Sequence, residues 1–201
     1  MNAQHDRKHL KNLLLERSVR LGDFTLSSGA KSSYYIDARQ TTMTAEGQRL
    51  TGKIAYTLIE EAGWDVSHVG GLTLGADPVA YAIAHHSTGR GRTLDGFTVR
   101  KEPKDHGTGQ QIEGGLPTDA RVVVVEDAVT TGGSAIRAIE VLRKYGASVA
   151  GVNDRACAAS TMSMDRSNAA CRRSGSPLPV ALMALVVALL AFGPHTAFAE
   201  A

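Results

Sequence analysis

Two adjacent carboxylates, Glu126 and Asp127, end a run of valines, Val122–Val125. Behind them stand Thr130, Thr131, Gly132, Gly133 and Ser134, and then a stretch of helical periodicity that stops at Gly146. The first turn of a helix offers free N–H groups and a partial positive charge, glycines let a ligand reach the backbone, and hydroxyls add donors. That combination makes a phosphate cradle. It is not a Walker loop, because no Gly-Lys-Thr/Ser follows, nor is it the Gly-x-Gly-x-x-Gly dinucleotide turn. The acids in front suit vicinal hydroxyls, which carboxylate oxygens can accept in pairs. A diol with a phosphate close by is a ribose 5-phosphate. A buried strand with an acidic turn would account for either acid alone, but not for acids, glycines and hydroxyls together.

A second cluster is basic. Arg100, Lys101, Lys104 and His106 place three fixed positive charges and one titratable group within seven residues. A solvated loop is the plainer account of such a run. The surrounding segment, "EPKDHGTGQQIEGGLPTDA", is long, polar and glycine-rich, and such length inside a domain points to a functional loop or lid.

These groups need a frame. Helical spacing predicts a helix over His5–Arg20, with Leu10, Leu13, Leu14 and Arg17 on one face. "FTLSSGAKSSYYIDAR" (Phe24–Arg39) reads as two short strands around a Ser-Gly turn. Thr44 caps a helix running to Ala62, with Gly63 as its stop. "VSHVGGLTLG" is a strand entering a turn, and Asp77 and Pro78 open the next helix, Asp as cap and Pro at the first position. Gly96–Lys101 and Ala147–Val152 are further strands. Strands alternate with helices from residue 44 to 152 and are continuous apolar runs. An α/β fold follows, with a central parallel sheet covered by helices on both faces. Ligands of such sheets sit beyond the carboxyl ends of the strands, where both clusters fall.

Length and composition fit one domain with a real core: 201 residues, 43% hydrophobic and 21% charged. A net charge of +2 without a basic face gives no reason to expect nucleic acid. Cys157 and Cys171 form neither a disulfide scaffold nor a metal set. Met1–Arg20 is charged and lacks the apolar block of a signal peptide, so a cytoplasmic protein is expected.

"VVVVEDAVTTGGS" resembles the phosphoribosyl-diphosphate (PRPP) signature of type I phosphoribosyltransferases. Two further stretches resemble the orotate-specific members of that family: the hairpin "FTLSSGAKSSYYIDAR" and the catalytic-loop stretch "VRKEPKDHG". "GGLTLGADPVA" is similar to their pyrophosphate-side loop. The resemblance covers roughly residues 10–152. It implies a hood of helix and strands over about 1–43 and a core over about 44–152. It implies transfer of ribose 5-phosphate from PRPP to orotate, giving orotidine 5′-phosphate and pyrophosphate in pyrimidine (UMP) synthesis. Lys104, Asp105 and His106 would then be catalytic. PRPP would be bound by Arg100, Lys101, Lys104 and His106, and by the signature Glu126, Asp127, Ala128, Val129, Thr130, Thr131, Gly132, Gly133 and Ser134. Orotate would meet Ser27, Lys31, Tyr35, Ile36, Thr130 and Arg155. Departure of pyrophosphate needs cations where charge develops, which gives the basic loop a reason. The family shares that loop between subunits, so a homodimer is implied. Mg²⁺ would act through PRPP oxygens and water rather than through a protein cage.

The sequence departs from that pattern in places. Ser27 stands where some members have Lys, and the "GLTLGADP" turn lacks a Lys that others carry, leaving backbone amides to hold pyrophosphate. Asp154-Arg155 arrive about four residues before the expected Asp-Arg pair. His85 and His86 end a helix and are read as structural, while Tyr34 and Tyr35 fit a core as readily as a site. Residues 153–201 lack the expected last helix and strand. Instead, "LPVALMALVVALLAF" (178–192) follows Arg172-Arg173 in the manner of a signal peptide at the wrong end. It is short for a span of roughly 20 apolar residues. A chimera, a frameshift or misjoined reading frame, or a membrane-anchoring tail are the readings, and low stability and weak orotate affinity are expected of this chain. Three other functions stay open: transfer to another base such as a purine, a non-catalytic PRPP-binding regulator, and an inactive product.

Overall fold

The computed structural model describes residues 3–25, 29, 31–103, 110–129 and 132–150. Helix α1 (Ala3–Arg17) buries Asp6, Leu10, Leu13 and Leu14, the spacing of a single helical face. It stops at Arg17, which is exposed, rather than at Arg20. Ser18 instead turns inward, its Oγ 2.7 Å from Thr41 Oγ1, and strand β1 (Val19–Thr25) begins at once. β1 pairs antiparallel with β2 (Lys31–Ile36), Val19 opposite Ile36, so the hairpin starts at Val19 rather than Phe24. It forms a two-stranded sheet of its own. Tyr34 and Tyr35 are exposed on it, so neither is a core aromatic.

A short helix α2 (Arg39–Thr42) leads into α3 (Ala45–Glu61). Thr44 caps α3 as its residue type suggests: its Oγ1 accepts the Gly47 N–H at 3.0 Å. Ala62 ends the helix, and Gly63 follows at φ +65°.

The central sheet contains β3 (His68–Leu72), β4 (Asp95–Val99), β5 (Ile112–Glu113), β6 (Arg121–Val124) and β7 (Ser148–Val149), in the order β5-β4-β3-β6-β7. β4, β3, β6 and β7 run parallel, as the apolar runs predict. β5 is an antiparallel addition, Ile112 and Glu113 pairing with Val99 and Thr98. It lies within the segment read as loop, because two residues between glutamines and glycines carry no strand signal.

The valine run explains the two covers. Val123 and Val125 pack with Leu10, Leu50, Val79 and Ile83 on the side of α1, α3 and α4 (Ala76–Ser87). Val122 and Val124 pack with Ala138, Ile139 and Leu142 of α5 (Gly133–Tyr145) on the other. Alternate side chains of one strand thus serve opposite faces, which is why every position is apolar.

Asp77 does not cap α4. Gly75 holds the cap position without a side-chain bond, and Asp77 lies inside the first turn. Its carboxylate accepts Thr73 Oγ1 at 2.7 Å and Thr98 Oγ1 at 2.9 Å, while Tyr81 Oη stands 2.7 Å from Thr98 Oγ1. With the Thr73 N–H donating to Val99 O at 2.8 Å, this network ties the turn after β3 to the end of β4. Pro78 falls in the first turn, where its missing N–H removes no helical bond.

Residues 151–201 lie outside the described part, and with them Arg155, both cysteines and the apolar segment. No helix among the described residues is long and apolar enough to cross a membrane.

Candidate active site

β3 has β4 on one side and β6 on the other, so the chain leaves it in one direction and returns in the opposite one. A crevice must open at the carboxyl ends of such neighbours. It does: a cleft of about 280 Å³ is walled by the turn after β3 (Thr73, Leu74, Gly75), by the end of β6 (Glu126, Asp127, Ala128), by Ser134 of α5 and by the hairpin end.

Val125 extends the β6 pairing through its N–H to Gly70 O at 2.8 Å, and the chain then delivers the two acids to the cleft. Glu126 is only 5% exposed, and its Oε1 has no hydrogen-bond partner among the described residues. Burial, with the Asp127 charge beside it, pushes its carboxyl up to about 7. An orphaned buried acceptor on a residue that lines a cleft is where a ligand hydroxyl would be expected. Burial also raises Asp127, opposed by the Ala128 N–H, which donates to Asp127 Oδ1 at 2.9 Å, and by the charge of Arg39. Gly132 caps α5 in a left-handed conformation, φ +76°, which glycine adopts without the strain a side chain would bring.

The hairpin brings Tyr35 and Ile36 to the cleft, followed by Asp37, Ala38 and Arg39. Phe24 packs against Tyr35, ring centroids 5.6 Å apart, which steadies the hairpin at this point. Lys31 lies elsewhere: its Nζ donates to Thr25 Oγ1 at 2.8 Å, and it borders a separate hollow with Asp23, Phe24, Ser32 and Ser33. Lys101 lines the cleft, whereas the Arg100 guanidinium lies 3.5 Å from Glu113. Val129 is half-buried and Gly133 exposed, neither on the cleft wall. Ser27, Lys104, Asp105, His106, Thr130, Thr131 and Arg155 lie outside the described residues. His85 is exposed, while His86 packs against Tyr56 and is lowered by burial; neither borders the cleft.

Two further charged residues, Asp37 and Arg39, stand on the wall. Their only signal in the sequence is an Asp-x-Arg immediately after a strand. Asp37 is held low, chiefly by its hydrogen bond with Arg39, and Arg39 is raised by the same bond.

The cleft can bind a diol through two acids and an anion through cations and the turn of α5. Its acidic donors are oxygens only, the set that Mg²⁺ prefers. Among the described residues no group of three or more His, Cys, Asp or Glu could hold a metal. A magnesium ion brought in on substrate oxygens would fit this lining, with Glu126 and Asp127 as the acids that could face it.

The fold and the site together define a transferase of phosphoribosyl groups: residues 41–166 match the phosphoribosyl transferase domain, and the chain belongs to that family. The match runs past Val152. Within the family the chain is similar to "Orotate phosphoribosyltransferase" of Aquifex aeolicus, 49% identical over 150 residues, covering 73% of this chain and 81% of the relative. Among solved structures it resembles orotate phosphoribosyltransferase of Mycobacterium tuberculosis H37Rv in complex with Fe(III) dicitrate, 46% identical, TM-score 0.63, covering 73% of this chain and 81% of that one. The same enzyme in complex with PRPP matches at 41% identity and TM-score 0.58, over 73% of this chain and 79% of that one.

Proposed function

We propose that this chain is an orotate phosphoribosyltransferase, joining orotate to ribose 5-phosphate at the expense of PRPP. The observation that carries the reading is the pair Glu126 and Asp127, one buried and orphaned, at the mouth of β6 in a cleft that also holds the hairpin end and Lys101. The orotate enzymes to which the chain is similar supply the acceptor base.

In this reading the ribose hydroxyls lie on Glu126 and Asp127, and the 5-phosphate rests in the turn from Thr130 to Ser134. The bond from the anomeric carbon to the diphosphate oxygen breaks, and its electron pair leaves with pyrophosphate. A bond from the orotate ring nitrogen to that carbon forms. Positive charge builds on the sugar and negative charge on the leaving group, so the protein's work is orientation and electrostatics. Lys101 and the loop residues Lys104 and His106 stabilise the departing diphosphate, with Arg100 and Asp105 as their neighbours in sequence. Mg²⁺ supplies further charge neutralisation on the diphosphate. Ser27, Tyr35, Ile36 and Thr130 place orotate, with Arg155 as a further contact. The exposed Leu21 and Tyr34 of the hairpin support a homodimer in which the loop serves the neighbouring site. The enzyme would work in the cytoplasm on residues 1–152, with 153–201 as a separate tail.

The test is a spectrophotometric assay of the purified chain with PRPP, Mg²⁺ and, in turn, orotate, adenine, guanine and hypoxanthine. Turnover with orotate alone is expected. Turnover with a purine alone would reassign the base, and PRPP binding without turnover would make the protein a sensor.

A further inference from the structure

We propose that Arg39 is a diphosphate-binding residue of this cleft, doing from the hairpin side what the turn after β3 has no cation to do. The inference rests on the PRPP reading above and assigns a group to its leaving-group end.

The charges on the wall make the need plain. Among the described residues lining the cleft, Asp37, Glu126 and Asp127 are acidic, and Arg39 and Lys101 are basic. Three carboxylates facing two cations repel an anion unless both cations serve it. The turn that faces the acids reads Thr73-Leu74-Gly75-Ala76 and carries no positive side chain. Among the described residues of the wall, Lys101 and Arg39 are then the two cations open to a substrate group bearing several negative charges.

Arg39 is held in a way that suits the task. Its Nε donates to Asp37 Oδ1 at 2.8 Å, and Asp37 is itself held by the Arg39 backbone N–H at 3.3 Å and by Gln40 Nε2 at 3.2 Å. With Nε committed, the two outer guanidinium nitrogens have no partner among the described residues, and the side chain is 40% exposed. An arginine anchored through Nε and open at its outer edge is a preorganised fork for two phosphate oxygens. The guanidinium also lies within electrostatic reach of Asp127 without an ion pair to it: each shifts the other's titration. Asp127 is the acid that rests on Gly75. This sets Arg39 on the ribose and diphosphate side of the cleft.

Titration calorimetry on the full 201-residue chain tests this, with wild type, Arg39→Gln and Arg39→Lys against PRPP, inorganic pyrophosphate and ribose 5-phosphate, all with Mg²⁺. Arg39→Gln is expected to weaken PRPP and pyrophosphate by about tenfold or more, the loss of one charge-assisted fork, and to leave ribose 5-phosphate within about twofold. Arg39→Lys recovers part of the loss, and the KM for orotate at saturating PRPP stays unchanged. Unaltered pyrophosphate binding in Arg39→Gln overturns the proposal. An equal loss of ribose 5-phosphate overturns it in favour of a purely structural Asp37–Arg39 pair. A rise in the orotate KM alone overturns it in favour of acceptor recognition. A wild-type chain that binds ribose 5-phosphate but neither PRPP nor pyrophosphate overturns the PRPP reading and this inference with it.

Discussion

The carboxylate of Asp127 rests against the α-carbon of Gly75, so closely that a β-carbon built there would stand 2.3 Å from Asp127 Oδ1. The end of β6 and the turn after β3 are therefore fitted to each other across the cleft. Gly75 has ordinary right-handed helical angles, φ −64° and ψ −44°, so its lack of a side chain answers the contact and not the backbone.

Gly75→Ala tests that fit. At a position with helical angles and free space, alanine stabilises by about 0.4–1 kcal/mol through the unfolded chain. Here the methyl must displace Asp127 or the turn, which costs about 1–3 kcal/mol as overpacking does elsewhere. The variant is expected to melt lower than wild type and to bind ribose 5-phosphate about tenfold more weakly. Denaturation and calorimetry on the same samples check both.

Glu126 gives a pH signature. Its carboxyl is raised from 4.5 to about 7 by burial and by Asp127. The folded chain therefore holds this proton more tightly than the unfolded chain does. The contribution to stability is fully present below pH 4.5 and is lost as pH rises through about 7. Glu126→Gln, which cannot ionise, should gain stability relative to wild type between pH 5 and pH 8, on the order of 2 kcal/mol. It should also lose most of its PRPP affinity. Urea midpoints across that pH range measure the first, and a pH-independent difference would contradict it.

Much of this was legible in the residues. The valine run had to be a central strand, since each of its side chains is apolar, and the acids and glycines after it had to stand at a strand end. Thr44 announced its helix because a hydroxyl one residue before a periodic stretch has one good use. What stayed hidden depended on distant partners. Asp77 looks like a cap beside Pro78, but its oxygens are taken by Thr73 and by Thr98, 21 residues away. Arg39 looks like an ordinary turn residue until the hairpin is set against β3 and β6. Lys31 is read as a site residue from its place in the hairpin, but its amine crosses to Thr25 instead.

Asp6 predicts the acid limb of stability. It is buried on α1 with its Oδ2 2.6 Å from Lys53 Nζ, a contact that fastens α1 to α3. The hydrogen bond from Lys53 holds its carboxyl below the usual value of 3.8. A depressed folded value means that the stabilisation is present above pH 3.8 and is lost as pH falls through the folded value. Asp6→Asn should cost about 2 kcal/mol at pH 7, typical of a hydrogen bond to a charged group, and much less near pH 3. Unfolding midpoints of both proteins at the two pH values check it.

Lys104 sits in the segment between stems that are joined. Arg100 N–H donates to Gln111 O at 2.8 Å, and Gln111 Nε2 returns to Arg100 O at 3.0 Å. Removing the Lys104 amine leaves these bonds in place. Lys104→Ala is expected to lower kcat by about 100-fold or more, the scale of losing one group that stabilises transition-state charge, with an unchanged melting temperature. Steady-state kinetics with both substrates saturating would show it.

The central claim is that this chain transfers ribose 5-phosphate from PRPP to orotate. The most direct measurement is product formation by the purified 201-residue chain with orotate, PRPP and Mg²⁺, followed by chromatography for orotidine 5′-phosphate and by pyrophosphate release. Equal yields of the two products, abolished by Glu126→Gln with Asp127→Asn, are predicted. PRPP binding with no orotidine 5′-phosphate formed would contradict the account.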